Sequence, residues 1–457
     1  MSTDASTTTA EISALIELIS SSAASAIAAW DQEAGGVPAL DAPVADSTRT
    51  GNSPDLLRAV RLLEGACSQL CAVLSPTFIS VVNRAWAPLD GACLRIAVDA
   101  KIPDVLKGHP DGLHVSAIAE QTGLPPAKLA RALRVLSTKH CFREVAKDTF
   151  ANNRLSHALL AELRLTELVW MFENICNPPA WTHLSEALAD PAYGPSDDLV
   201  RTAFSWGIRE KMPDTPLFKY LAARPMESER FGKAMTAWQL GGVQDFYPVA
   251  DLPANTTWCD IGGGMGGVLI PVVNKNPQLR GTLQEQPHVV EEAKQNFAKE
   301  FPDALRENRV SFVPINFLTE SPVPNQDIYY MRMIVHNWPD AACIDILTNV
   351  RKVMKPSSRL LVHDYVLISS VAASQGALEM RGDIAPSPLL PNYGAGGVRP
   401  FYMDVTMMSM LNAKERSLDD MIELGCVEHS SSPFVTWVER PMHRTAIRFL
   451  ADSLGLL

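Results

Sequence analysis

A chain of 457 residues is too long for one ordinary domain, and 47% hydrophobic with 20% charged residues is the balance of a globular protein with a large core. Its net charge of −11 argues against nucleic acid or an anionic membrane as the main partner. The eight cysteines are scattered without a Cys-x-x-Cys pair, which speaks for reduced thiols and against a disulfide framework or a zinc or other metal site.

In chain order, residues 1–10 read as disordered and residues 11–30 as an amphipathic helix, with Ile12, Leu15, Leu18 and Ile19 at helical spacing. The start carries Asp4, Glu11 and Glu17 with no Lys or Arg, which fits neither a secretory signal nor a mitochondrial presequence. No run approaches 18 uninterrupted apolar residues, so no membrane-spanning helix is expected and the cytoplasm is the expected location. Residues 34–53, rich in Gly, Pro, Asp, Ser and Thr, read as loop; apolar periodicity resumes at Leu56, Leu57, Val60 and Leu63. Helices ahead of any strand signal need a partner surface, and a second copy of the chain is the expected one.

From Leu89, LDGACLRIAVDAKIPDVL reads as one helix ending near the turn at Gly108–Gly112. Two helices about a Gly-Leu-Pro-Pro turn follow, and FREVAKDTFANN alternates and turns like a hairpin; together they describe a winged helix. Its second helix carries Lys128, Arg131 and Arg134, but nothing nearby extends that positive patch, so a structural or dimerising role is expected in place of DNA reading. Residues 155–250 are mostly helical and rich in Trp, Phe, Met and Tyr. Most of these belong to a core; Trp206, Met212, Trp238 and Phe246 are candidate walls for a flat ligand.

From Thr257 short β-rich runs alternate with helical patterns, which predicts a doubly wound, mostly parallel sheet with its binding crevice at the carboxyl ends of the strands. WCDIGGGMGG ends a strand in Asp260 and turns through glycines, which let a ligand approach the backbone. Its Gly-x-Gly-x-Gly spacing differs from the dinucleotide pattern, and the preceding acid suits the ammonium of S-adenosylmethionine. Glu285 in LQEQPHV stands where a ribose-binding carboxylate belongs, about twenty residues on, and Asn316 in VPINF is placed for an adenine edge. In YYMRMIVHNWPDAAC an apolar strand ends in Arg332, and His336 follows just beyond it. An unperturbed pKa near 6.5 suits that histidine to accept a proton.

The order of winged helix, aromatic helical stretch, DIGGGMGG, LQEQPHV and MRMIVHNWPD resembles the caffeate-type small-molecule O-methyltransferases of plants and fungi. The late segment from APSPLLPNYGAGG to MDVTMMSMLNAKERSLDDMIELGC resembles the fungal members. The likeness covers residues 85–457. It implies an α/β fold: a Rossmann-like S-adenosylmethionine-dependent methyltransferase domain over 156–457, with a helical substrate region at 156–250, behind an N-terminal helical and winged-helix dimerisation domain over 1–155. It implies His336 as base, Asp364 and Glu415 as flanking acids, and Asp260, Gly262, Gly264, Glu285, Asn316 and Arg332 as cofactor positions. Three positions depart from the family: Asp364 where Glu is usual, Asn337 where Asp is usual, and Asn316 where an acid is usual.

The expected reaction is methyl transfer from S-adenosyl-L-methionine to a hydroxyl of a phenolic or polyketide-like acceptor, leaving S-adenosyl-L-homocysteine, in a homodimer that uses no metal. His336 removes the proton, Asp364 or Glu415 orients the imidazole, and Met407 and Met408 add to the pocket wall. One rival is an enzyme of the same scaffold that binds the cofactor without consuming it, catalysing a dehydration or a pericyclic closure. Another is a winged-helix regulator, against which the acidic balance speaks.

Overall fold

The computed structural model describes residues 5–41, 53–163, 165–238, 243, 247–371, 384–426, 435–438 and 444–450. The chain divides into two compact units: Met1–Thr182 with Phe218–Trp238 and Gly394–Gly396, and His183–Leu217 with Gln239–Tyr393 and Gly397–Leu457. By contacts the first boundary therefore falls later than the 155/156 division read from sequence. The helix Pro225–Ala237 runs along Leu165–Met171, with Arg230 paired to Glu167 at 2.6 Å and its guanidinium 3.9 Å from the centre of the Trp170 ring. The ion pair and the covered Trp170 ring tie the segment to the N-terminal unit.

That unit opens on a helix over Ala5–Ala34, longer at both ends than the sequence reading, and residues 5–10 are helical where disorder was expected. Ser13, Ser21, Ser22 and Ser25 each return a hydroxyl hydrogen bond to the carbonyl four residues back, which seats polar residues in an apolar helix. Counting uninterrupted apolar residues missed this. Residues 8–34 are long and apolar enough to cross a membrane by length and composition, with 22% of the window buried. A count of uninterrupted apolar residues and a measure of mean hydropathy therefore differ on this helix. Leu15, Ala26 and Ala29 are buried here, and Ala26 and Ala29 pack with Leu56 and Ala59 of the helix Pro54–Leu74, which Ser53 caps by accepting the Leu56 N–H.

The winged helix is present. Helices Val115–Thr122 and Pro126–Thr138 pack on a three-stranded antiparallel sheet of β1 (Leu113–His114), β2 (Arg143–Ala146) and β3 (Thr149–Ala151), in the order β1-β3-β2. Ile102, Ile118, Leu129, Leu133, Phe142 and Phe150 form its core. The single helix expected from Leu89 is two, Pro88–Asp99 and Ile102–Val105, broken where Lys101 takes a left-handed backbone (φ 51°). Arg134, one of the three basic residues on the second helix, is paired with Glu144 and Asp148.

The second unit is built on a sheet of β4 (Thr257–Ile261), β5 (Arg280–Glu285), β6 (Val310–Pro314), β7 (Ile328–Arg332), β8 (Arg359–Leu367), β9 (Arg416–Ser417), β10 (Val435–Val438) and β11 (Arg444–Leu450). The order is β10-β11-β8-β7-β4-β5-β6, with β9 on β8. From β8 to β6 the strands are parallel; β11 and β10 are antiparallel additions at one edge. Both faces of β4 and β7 are covered: Trp258, Leu269, Leu283, Phe297 and Tyr330 pack on one side, and Cys259, Tyr329, Ile346 and Met421 on the other. That double covering explains why β7 reads as an apolar run up to Arg332. The first strand, β4, lies between β7 and β5, so the chain reverses direction across the sheet there and opens a crevice at the carboxyl ends.

Candidate active site

The carboxyl ends of β4, β5, β6 and β7 carry the residues expected to hold a cofactor. After Asp260 the chain turns sharply: Gly262 has φ 70° and Gly264 φ 52°. A Cβ on Gly262 would lie 2.3 Å from the Ile334 side chain, so the turn sits against the segment that leads to His336. A Cβ on Gly264 would meet nothing within 4 Å, so the backbone there faces open space. Asp260 is 1% exposed, and its Oδ2 is buried without a hydrogen-bond partner. Burial pushes its carboxyl up to about 7, against the nearby Arg332 cation, while the Glu285 carboxylate adds to the rise. Glu285 accepts the Gln286 N–H at 2.8 Å and a backbone N–H from Gly264; burial raises its pKa above the usual value. Asn316 is exposed and its Oδ1 accepts the Leu318 N–H at 3.3 Å, so this oxygen is engaged in a local turn.

An unpartnered buried carboxylate oxygen beside a glycine turn with open space at Gly264 suits a ligand bearing a cation and hydrogen-bond acceptors. The residues present therefore fit the amino-acid end of S-adenosylmethionine.

His336 sits in the short turn Val335–Asn337 beyond β7. Met333 takes a left-handed backbone (φ 56°) and donates its N–H to the His363 carbonyl at 3.1 Å, so the chain leaves the strand abruptly. Asn337 closes the turn by donating Nδ2–H to the Met333 carbonyl at 2.9 Å. An Asp at 337 has no such donor, which gives this departure a local reason. The His336 side chain is 5% exposed and its Nδ1 lies 2.6 Å from Glu415 Oε1. Glu415 is buried and its pKa is raised by that burial, with the His336 contact pulling the other way. Its second oxygen, Oε2, is buried without a hydrogen-bond partner. Asp364 takes a different place from the one expected: its Oδ2 accepts the backbone N–H of His336 at 3.0 Å. The shorter side chain thus holds the main chain of His336, and Glu415 is the acid on the ring.

The wall candidates are more scattered. Trp206 donates Nε1–H to Asp190 at 3.4 Å and carries the Arg209 guanidinium 3.4 Å above its ring, so both its polar tip and a face are engaged locally. Met212 and Met408 are half-buried, and Met407 is buried. Trp238 belongs to the N-terminal unit, edge-on to Phe172 at 5.4 Å. Phe246 lies outside the described residues. Of the six, Met408 lines a cavity of about 550 Å³, with Leu184, Leu188, Tyr193 and Arg201 and with Pro339–Ala341 just past His336.

Sequence reasoning passed over Arg416, Asp340 and Asp404. Arg416 is fully buried beside Glu415, Asp340 accepts from it at 2.7 Å, and Asp404 accepts the Glu415 N–H at 2.9 Å. Lys-Glu-Arg reads as a solvated charged run; no sequence pattern marks its second and third residues as buried.

The chain matches the model of the O-methyltransferase domain over residues 181–385 and that of the O-methyltransferase dimerisation domain over residues 88–162. It is 37% identical over 426 residues to 3-O-methyltransferase 2 of Phanerochaete chrysosporium, spanning 91% of this chain and 93% of that protein. It is 31% identical over 454 residues to O-methyltransferase gedA of Aspergillus terreus, spanning 88% and 89%. Its fold is shared with a pericyclic reaction enzyme (TM-score 0.69, 21% identity, 86% of this chain and 94% of that one). It is also shared with OxaC in complex with S-adenosylhomocysteine and oxaline (TM-score 0.68, 19% identity, 95% and 99%).

Proposed function

The chain belongs to the plant-type O-methyltransferase family, in its fungal branch, and from that premise we propose that it methylates a hydroxyl of a small aromatic or polyketide-type metabolite, with His336 as general base and no metal. Its cofactor is S-adenosyl-L-methionine, which when bound supplies a methyl group already activated on a sulfonium. Asp260 would hold the cofactor's ammonium, Glu285 its ribose, the Gly262 and Gly264 backbone its amino-acid end, and Asn316 and Arg332 the rim of that site.

The observation that carries the reading is the contact of 2.6 Å between His336 Nδ1 and Glu415, at the carboxyl end of a strand next to the glycine turn. With Glu415 ionised the proton resides on Nδ1, and Nε2 is the basic nitrogen. A phenol of pKa near 10 is mostly protonated at neutral pH, so a base raises its nucleophilicity as the oxygen is methylated. The imidazolium that forms is stabilised by the same carboxylate, and burial strengthens that interaction. This proton route needs no metal. The match to the dimerisation domain supports a homodimer.

Incubation with methyl-labelled S-adenosylmethionine and a panel of phenols and polyketides tests the reading. The expected result is one methyl gained per turnover with one S-adenosylhomocysteine released. His336→Gln should bind S-adenosylhomocysteine as the parent does and lose about 100- to 10,000-fold in kcat. Full turnover in that variant removes His336 as base; product formed without methyl gain, the cofactor unconsumed, replaces methyl transfer by a rearrangement or dehydration.

A further inference from the structure

We propose that Arg416 is a positioning residue that sets the catalytic histidine; this rests on the reading of His336 as the base. The Arg416 side chain is 0% exposed, and its guanidinium hydrogens are directed at the turn that carries His336. Nη1 donates to the Val335 carbonyl at 3.1 Å and to the Lys414 carbonyl at 3.3 Å. Nη2 donates to the Trp338 carbonyl at 2.9 Å and to Asp340 Oδ1 at 2.7 Å, with Cys343 Sγ at 3.4 Å; Nε donates to the same Asp340 oxygen at 3.0 Å. The cation therefore grips the chain one residue before His336 and two residues after it. Asp340 supplies the opposite charge, and burial notwithstanding, the hydrogen bonds from Lys414 and Arg416 hold its carboxyl below the usual value.

The neighbouring residue does the rest. Glu415 reaches the imidazole, and Arg416 itself pairs with Val366 of β8, two residues past the Asp364 whose carboxylate takes the His336 N–H. Ring, amide and flanking carbonyls of His336 are thus all fixed from one seam, where the Glu415–Arg416 pair meets β8. Slackening the carbonyl grip lets the turn shift relative to Glu415; the glycine turn meets this segment at Ile334, ahead of the Val335 and Trp338 carbonyls that Arg416 holds. A lysine carries three donors on one atom and does not span the three carbonyls and the carboxylate at these positions.

The readout is the imidazole proton held between His336 and Glu415, observed by proton NMR in the full-length chain with S-adenosylhomocysteine bound. The wild-type chain should show a strongly downfield, exchange-protected resonance that vanishes in His336→Gln and Glu415→Gln. Arg416→Lys should broaden or lose it and lower kcat about 100-fold, the scale of a misplacement of about 1 Å, with S-adenosylhomocysteine affinity within about threefold of the parent. Asp340→Asn, which keeps the guanidinium and removes its counter-charge, should fall between the two, and serves if Arg416→Lys does not fold. The proposal is overturned if a folded Arg416→Lys keeps the resonance, if turnover falls while the resonance stays unchanged, or if the wild-type chain lacks it. Should no acceptor be methylated, the reading of the reaction fails, but the resonance still decides the role of Arg416.

Discussion

Asp260 shows what a single buried oxygen implies. Its carboxyl, pushed up to about 7, is protonated in the folded chain and ionised in the unfolded chain between about pH 4 and pH 7. The folded state binds the extra proton across that window, so without ligand its stability falls as pH rises through it and levels above about 7. A ligand ammonium favours the ionised carboxylate and must expel that proton. Affinity for S-adenosylhomocysteine should therefore weaken by up to about tenfold per unit as pH drops below 7, with proton release seen by calorimetry in buffers of different ionisation enthalpy. Asp260→Asn should bind more weakly and lose the slope. A wild-type affinity that stays flat from about pH 5.5 to 7.5 would rule out an ammonium seated on Asp260. The position of this acid before the glycines was legible in the sequence; its orphaned oxygen was not, because burial is a property of what packs around a residue.

At the scale of elements, the turn after β4 links the cofactor site to the base. Gly262→Ala places a Cβ 2.3 Å from the Ile334 side chain at φ 70°, whereas Gly264→Ala has open space at φ 52°. Both pay the left-handed backbone cost of roughly 1–2 kcal/mol, but only the first must push Ile334, two residues ahead of His336. Thermal unfolding should show Gly262→Ala as the less stable variant, with kcat reduced beyond the loss of cofactor affinity. Gly264→Ala should mainly weaken S-adenosylhomocysteine binding. Equal stability in the two variants would contradict the contact with Ile334. Strand ends, glycine turn and winged helix were readable because periodicity and turn chemistry are local. The first helix was read over residues 11–30 but is longer at both ends, and its apolar length was undercounted because its serines return their hydroxyls to the helix backbone.

For the whole molecule, the helix Thr77–Trp86 has no buried residue, and Phe78, Val81 and Trp86 are 77%, 60% and 63% exposed. Apolar side chains this exposed, one segment before the matched dimerisation domain, fit burial against a second copy of the chain. Sedimentation should give a dimer for the wild-type chain, and Phe78→Glu with Trp86→Glu should shift it toward monomer without changing the fold of either unit. A dimer that persists unchanged in the double variant places the interface elsewhere.

The sequence by itself determined the class of fold, the glycine turn with its preceding acid, and a histidine at the end of a parallel strand, since each is written in residues that are neighbours along the chain. Only the tertiary structure decided which acid meets the imidazole. Glu415 lies 79 residues from His336 and reaches it because Arg416 pairs with Val366, while Asp364, one methylene shorter than the usual Glu, holds the His336 N–H. Strand register carries that choice, and it brings a buried arginine to the same turn. Side chains that meet through register have no spacing in sequence to announce them.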